Sequence, residues 1–275
     1  MKTKSVYTLL VTIVMLFNHS FAQNSTEHWD SYIATYDNGK PGSTTVRLDL
    51  IEGAPITAFP HVLVTGINYE TSREDGFPEN DTFALLHQVG DELERFVASE
   101  TEYILVGSFM YDKQRLEYFY VKRPQGLEEK LNYFYEREFP GQEFYVNLKA
   151  DSSWTYYREF IYPNDATLNY MSDLAVVRRL EEAGDPLTEA RRVDHWLYFS
   201  SRNDMEKCSE EIKKLGFEIE SSEERQGYAL PFEMLINRKD KVDINSINAI
   251  SSTLRELAIK YKGDYDGWET FVLTE

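Results

Sequence analysis

Cysteine is almost missing from this chain: Cys208 is the only one in 275 residues. A single thiol excludes an internal disulfide, so stability has to come from packing. Cys208 keeps step with Met205, Ile212 and Leu215 on a helical pattern, which marks it as a small buried residue and not a reactive thiol. Histidine is nearly as sparse, and His19, His28, His61, His87 and His195 fall in no HxH, HExxH or cysteine-paired spacing. No metal and no cofactor is therefore expected. The carboxylates around Asp75-Gly76-Phe77-Pro78-Glu79 form a turn signal and lack the alternating ligands of a calcium loop. GxSxG, Walker and dinucleotide fingerprints are missing too, which removes the commonest signed catalytic sites. Positive charge is the last scarcity. Lysine and arginine number 29 against 47 acids, a net charge of −18. The basic pairs Arg178-Arg179, Arg191-Arg192 and Lys213-Lys214 each have acids close by, so no stripe exists that would hold a phosphate backbone. Nucleic acid is excluded as a partner, and a basic protein fits the field better.

What is present begins with an export signal. Lys2 and Lys4 give a positive start, Val6 to Phe17 an apolar core, and Ser20-Phe21-Ala22 a small-x-small cleavage site before Gln23. The apolar run is shorter than the ~20 residues that a bilayer span requires, and no later stretch spans. Residues 1–22 are thus expected to leave a periplasmic or secreted protein with no membrane span. Cleavage takes two lysines and no acid, so the net charge of −18 becomes −20.

The first domain is expected over residues 24–163. Two strand-like runs, 28–36 and 44–50, flank turn formers and predict a hairpin. From His61 the pattern reads strand, helix, strand, strand, helix, strand. Leu86, Val89, Leu93, Phe96 and Val97 form one buried helical face with Asp81 as cap, and Leu127, Leu131 and Phe134 mark the second helix. Trp154, Tyr156, Tyr157, Phe160 and Tyr162 make an aromatic run. Such rings can offer a sugar platform or seal a joint between domains, and large aromatics contribute chiefly through burial.

The second domain is expected over residues 167–275, after a short polar joint at Asn164-Asp165-Ala166. A helix carrying Met171, Leu174, Ala175 and Val177 leads in. A second β-α-β-β-α-β series follows: strand 193–200, helix 204–215, strands 217–222 and 228–237, a helix capped by Asp243 and ended by Gly263, and a closing strand 268–273. The fold class is α+β, two ferredoxin-like domains whose antiparallel sheets carry helices on one face.

Resemblances attach to both halves. Trp29-x-x-Tyr32, Asp75-Gly76-Phe77-Pro78, Leu105-Val106-Gly107, Arg115-x-x-Tyr118-Phe119-Tyr120 and Asp151-x-x-Trp154-x-x-Tyr157 resemble the family called domain of unknown function 695, which brings no activity. Arg192-Val193-Asp194-His195-Trp196-x-Tyr198-Phe199, Leu215-Gly216-Phe217 and Gly263-x-Tyr265-Asp266-Gly267-Trp268-Glu269 resemble the regulator of ribonuclease E activity B family. That resemblance implies an acidic, non-catalytic protein that binds the endonuclease and restrains it. An export signal departs from the pattern, because ribonuclease E acts in the cytoplasm, so the partner's identity stays open.

The candidate contact residues are Arg192, Asp194, His195, Trp196, Asp264, Tyr265, Asp266, Trp268 and Glu269. They serve either as a contact surface or as scaffold, with Asp266-Gly267 turning into the last strand, Trp196 and Trp268 packing against helices, and Arg192 or His195 satisfying buried carboxylates. An acid-base pair is not expected. Asp194 and His195 point to opposite faces of a strand, and an antiparallel last strand would set Trp268 near Ser200 and His195 near Leu273. The five strand steps from His195 to Ser200 amount to roughly 16 Å at ~3.3 Å per residue, which puts a His195–Asp266 pair out of reach. Three functions follow: an exported, non-enzymatic regulatory module that binds a basic protein, an enzyme acting on extracellular polymers through the aromatic run, or an immunity-type inhibitor of a basic toxin or nuclease.

Overall fold

A computed structural model describes residues 27–36 and 38–274. The expected export signal, residues 1–22, lies outside the described residues. The chain divides after Asn164 into two compact units.

The first unit is a six-stranded antiparallel sheet built from β1 (Trp29–Thr35), β2 (Pro41–Arg47), β3 (His61–Asn68), β4 (Tyr103–Tyr111), β5 (Gln114–Val121) and β6 (Phe144–Ala150), with α1 (Asn80–Glu100) and α2 (Leu127–Glu138). Its strand order is β1-β2-β4-β5-β3-β6. The last four strands with their two crossover helices are the ferredoxin-like arrangement, and the β1–β2 hairpin extends it beyond β4. The central strand β3 is buried on both sides, and strand alternation explains how. Leu63 and Ile67 go under the helices with Leu86, Leu93, Val97 and Leu131. Val62 and Val64 enter a second core on the opposite face.

That second core corrects the reading of the aromatic run as a joint between domains. Trp154 and Tyr157 are fully buried inside the first unit. Trp154 just precedes a π-helical segment, Tyr156–Ile161, that carries Tyr157, and both rings lie against the sheet face opposite α1 and α2. Trp154 stacks on Tyr120 at 4.0 Å and donates its Nε1–H to the Phe59 carbonyl at 2.9 Å, while the Tyr157 hydroxyl donates to the Arg47 carbonyl at 2.6 Å. Both faces of this sheet are apolar, so both demand cover, and the helices supply only one. Asp81 is likewise not the cap of α1. Glu79 occupies the cap position, but its carboxylate is held by the Ser72 amide and hydroxyl at 3.3 and 2.5 Å. Asp81 sits in the first turn, where its charge still favours the helix dipole. Asp75 is bound to Arg73 and to the Phe77 amide.

The second unit holds α3 (Asp165–Glu182), β7 (Arg191–Phe199), α4 (Arg202–Lys214), β8 (Glu218–Glu224), β9 (Phe232–Asp240), α5 (Ile244–Lys260) and β10 (Gly263–Glu269). The strand order β10-β7-β9-β8 is again ferredoxin-like and antiparallel throughout. The expected joint at Asn164-Asp165-Ala166 is largely the start of α3. Asp243 caps α5 as expected, accepting the Ser246 amide at 3.1 Å. Ser201, not anticipated, caps α4 by accepting the Asp204 amide at 3.2 Å.

The last strand differs most from expectation. It begins at Gly263, five residues before the expected Trp268. Gly263 is a close-packing position and not the stop of α5, because a Cβ there would lie 2.4 Å from the Tyr198 carbonyl oxygen. Asp266-Gly267 is not a turn into the strand. It is a β-bulge inside it, where pairing with β7 shifts between Tyr265 and Gly267 and Gly267 takes φ +149°.

Candidate protein-docking face

The signature residues meet where β7 and β10 pair. Gly263 lies opposite Phe199, Tyr265 opposite Leu197, Trp268 opposite His195 and Glu269 opposite Asp194. The expected register, with Trp268 near Ser200, is therefore wrong by several residues, because the strand starts early and the bulge absorbs one residue. Alternation then sorts the nine candidates onto two faces. His195, Tyr265 and Trp268 point toward the helices and are buried. Arg192, Asp194, Trp196, Asp264 and Glu269 alternate with them on the other face, and Asp266 is the extra residue of the bulge.

The buried set is a polar network. His195 is fully enclosed, and its Nδ1 shares a 2.9 Å hydrogen bond with the Tyr265 hydroxyl. Its ring meets Phe217 edge-on at 5.6 Å, and the Arg238 guanidinium lies 4.1 Å above that same Phe217 ring. Burial, aided by the charge of Arg238, pushes the imidazole down to about 3. The ring is neutral across the physiological range and faces away from Asp194. His195 thus contacts a tyrosine and not the buried carboxylate expected for it. Arg255 braces Tyr265 from below, with its guanidinium 5.1 Å from the ring and one N–H donated to the Tyr265 carbonyl at 3.2 Å.

Trp268 donates its Nε1–H to Asp173 of α3 at 2.9 Å, and the other Asp173 oxygen accepts from the Ser251 hydroxyl at 2.5 Å and the Asn248 amide at 2.9 Å. Asp173 is a buried carboxylate satisfied by three neutral donors, a residue that the sequence reasoning passed over. So are Arg191 and Asp185. Arg191, not its neighbour Arg192, answers a buried acid: it grips Asp185 through both terminal nitrogens, and the Leu273 and Leu187 amides also donate to Asp185. Burial alone would raise the Asp185 carboxyl, but these donors outweigh it and hold it below the usual range. Arg192 instead lies exposed, bridging Asp194 and Glu220. Trp196 packs on the side away from the helices, a second correction.

The open face can then be read as a surface. Among the described elements of this unit, the helices pack only against the His195 side of the sheet. The other side carries the carboxylates of Asp194, Glu218, Glu220, Glu233, Asp264, Asp266 and Glu269 around the half-buried Trp196, Tyr198 and Leu235. Arg192, Lys239 and Arg225 are its cations, and Arg192 and Arg225 are already committed to Asp194, Glu220 and Glu233. Among the described residues no ion pair engages Asp264, Asp266 or Glu269. Partial desolvation, together with Asp264 and Glu233, raises the Asp266 carboxyl above its ordinary range. Desolvation and the neighbouring Asp194 do the same to Glu269. Charges crowded in this way gain from an incoming cation.

Comparison with known proteins follows the same division. Residues 27–162 match the family described as Family of unknown function (DUF695), and residues 171–270 match the one described as Regulator of ribonuclease activity B. A Regulator of ribonuclease activity B from Shewanella amazonensis is 34% identical over 100 residues, covering 34% of this chain and 67% of the relative. Another so described, from Shewanella denitrificans, is 33% identical over 82 residues, covering 28% of this chain and 62% of the relative. The chain therefore spans about two thirds of the length of these curated relatives.

Proposed function

The chain belongs, through its second unit, to the family of regulators of ribonuclease activity B, and from that premise we propose that it is a non-enzymatic regulatory module that binds a basic protein partner through the open face of the second sheet. The observation that carries the reading is the sheet face that no helix of the second unit covers, where Asp264, Asp266 and Glu269 have no ion pair among the described residues and sit around Trp196 and Tyr198. An apolar centre ringed by charge is how protein interfaces are usually composed. A ribonuclease is the partner class that the relatives' description points to. Enzymes that hold RNA present lysine and arginine to phosphates, and an acidic sheet face competes for those same cations.

The reading includes export. Lys2, Lys4, the apolar run to Phe17 and Ser20-Phe21-Ala22 support cleavage and a place outside the cytoplasm. Cell fractionation tests this part, and a cytoplasmic full-length product would return ribonuclease E itself as the partner.

The docking face is tested by titrating the purified chain against an arginine-rich peptide and against the ribonuclease E catalytic region, at ~50 and ~300 mM salt. Binding is expected to weaken at high salt. Replacing Asp264, Asp266 and Glu269 together by lysine is expected to abolish it, while reversing exposed acids of α4 such as Glu206 is not. Unchanged binding by the triple variant would remove this face from the proposal.

A further inference from the structure

The first unit contains a cleft that none of the preceding function uses. It has a volume of about 410 Å³, inside the ~300–1,000 Å³ typical of small-molecule sites, and lies at the hairpin end of the sheet. Asn68, Glu70, Tyr111, Lys113, Gln114 and Glu143 line it. Strand register puts the central residues on one face: Gln114 lies opposite both Asn68 and Tyr111, and Leu116, two residues on, lies opposite Gly66 and Phe109. This is the face covered by Trp154 and Tyr157, so the cleft opens where that aromatic cover ends.

Its floor is a polar relay. Gln114 donates an amide N–H to the Asn68 carbonyl at 2.9 Å, and Asn68 donates to Glu143 at 2.9 Å. Each primary amide has two N–H groups and spends one here, which leaves a second donor on both and the carbonyl of Gln114 as an acceptor. Its aromatic wall is Tyr69 and Tyr111. Tyr111 stacks with Phe109 at 5.8 Å and meets Tyr36 at 5.0 Å, which holds its ring in place. The hairpin tip is pinned: the Lys113 amide donates to the Gly76 carbonyl at 3.2 Å, and the Lys113 carbonyl accepts the Tyr69 amide at 2.8 Å. Asp112 and Lys113 hold φ of +43° and +69° there.

The charges decide the ligand class. Asp112 is paired with Lys40, Glu70 with Lys113 at 3.6 Å, and Glu143 with the Asn68 amide. Lysines offset two of the three carboxylates and an amide engages the third, so the cleft is close to neutral and offers no strong hold to a cation or to an anion. We propose that this cleft binds a neutral saccharide, whose C–H face lies on the Tyr111 side of the aromatic wall and whose hydroxyls exchange hydrogen bonds with Gln114, Asn68 and Glu143. Paired donors and acceptors beside a ring suit a sugar, which presents adjacent hydroxyls on one edge and an apolar ring face on the other.

Saturation-transfer NMR on the purified chain, with maltotriose, cellotriose and triacetylchitotriose as separate probes, tests the assignment. At least one trisaccharide is expected to bind saturably below ~10 mM. Tyr111→Ala and Gln114→Ala are each expected to weaken it by about tenfold, the equivalent of one stack or one good hydrogen-bond pair. Tyr133→Ala, on an exposed ring of α2, serves as the neutral control. Gln114→Ala leaves the aromatic wall in place and keeps the test decisive should Tyr111→Ala fail to fold. No saturable sugar overturns the proposal. So does wild-type affinity in Gln114→Ala, or saturation by free lysine or inorganic phosphate in place of the sugars.

Discussion

Acidification should weaken the second unit through one imidazole. His195 is neutral in the folded state because burial pushes it down to about 3, against 6.5 when exposed. The sign follows from proton counts. Between those values the unfolded chain takes up a proton at this position and the folded chain does not, so stability is complete above about pH 6.5 and falls as pH falls toward 3. At pH 5 the unfolded state is favoured by 1.5 pH units of protonation, which at ~1.4 kcal/mol per unit is about 2 kcal/mol lost relative to pH 7. That is a large part of the ~5–15 kcal/mol by which a domain is usually stable. The loss is best read by urea titration at the Trp268 indole cross-peak in ¹⁵N NMR, because that N–H is held by Asp173 inside the second unit. A His195→Asn variant supplies the reference, since its side-chain amide carries both an acceptor and a donor and can replace Nδ1 as the partner of the Tyr265 hydroxyl. Wild type is expected to lose about 2 kcal/mol more than His195→Asn between pH 7 and pH 5. Equal losses, within ~0.5 kcal/mol, would refute the reasoning and mean that the imidazole charges in place.

Three further outcomes follow from the same packing. Arg191→Met strands the buried Asp185 carboxylate and should cost the second unit about 3–5 kcal/mol, measured at the same indole peak. Asp173→Ala leaves the Trp268 indole, the Ser251 hydroxyl and the Asn248 amide without their acceptor. It should cost at least ~3 kcal/mol, while Asp173→Asn, which retains one carbonyl acceptor, should cost less. Asp266→Asn and Glu269→Gln relieve like-charge crowding, so thermal melting at neutral pH should show a higher midpoint while affinity for an arginine-rich peptide falls. A variant that gained stability without losing affinity would separate the crowding from the docking role.

Much of this molecule was legible in its residues. Apolar spacing is local, and it marked ten strands and five α-helices among the described residues, the last strand only through Trp268 and Glu269, because alternation and the helical repeat are set by the backbone alone. The same periodicity carried information that went unread. Arg191 keeps step with Val193, Leu197 and Phe199, and Asp173 with Val177 and Leu180, so the inward direction of both was present in the pattern. Other features are not properties of any short stretch. Asp266-Gly267 has the composition of a turn, and only pairing with β7 makes it a bulge. A shift of that kind changes which residues face the helices, and it placed Trp268 opposite His195. The aromatic run was plainly a burial signal, but nothing within it says which surface it buries. That depended on a sheet apolar on both faces and helices enough for one. Cross-chain partners such as Asp173 with Trp268, or Gln114 with Asn68 and Glu143, arise only when strands distant in sequence lie side by side. Periodicity therefore determined which elements form and which way they face. Tertiary structure decided register, partners and the two open surfaces, because those depend on contacts between segments and not on the order of residues within one.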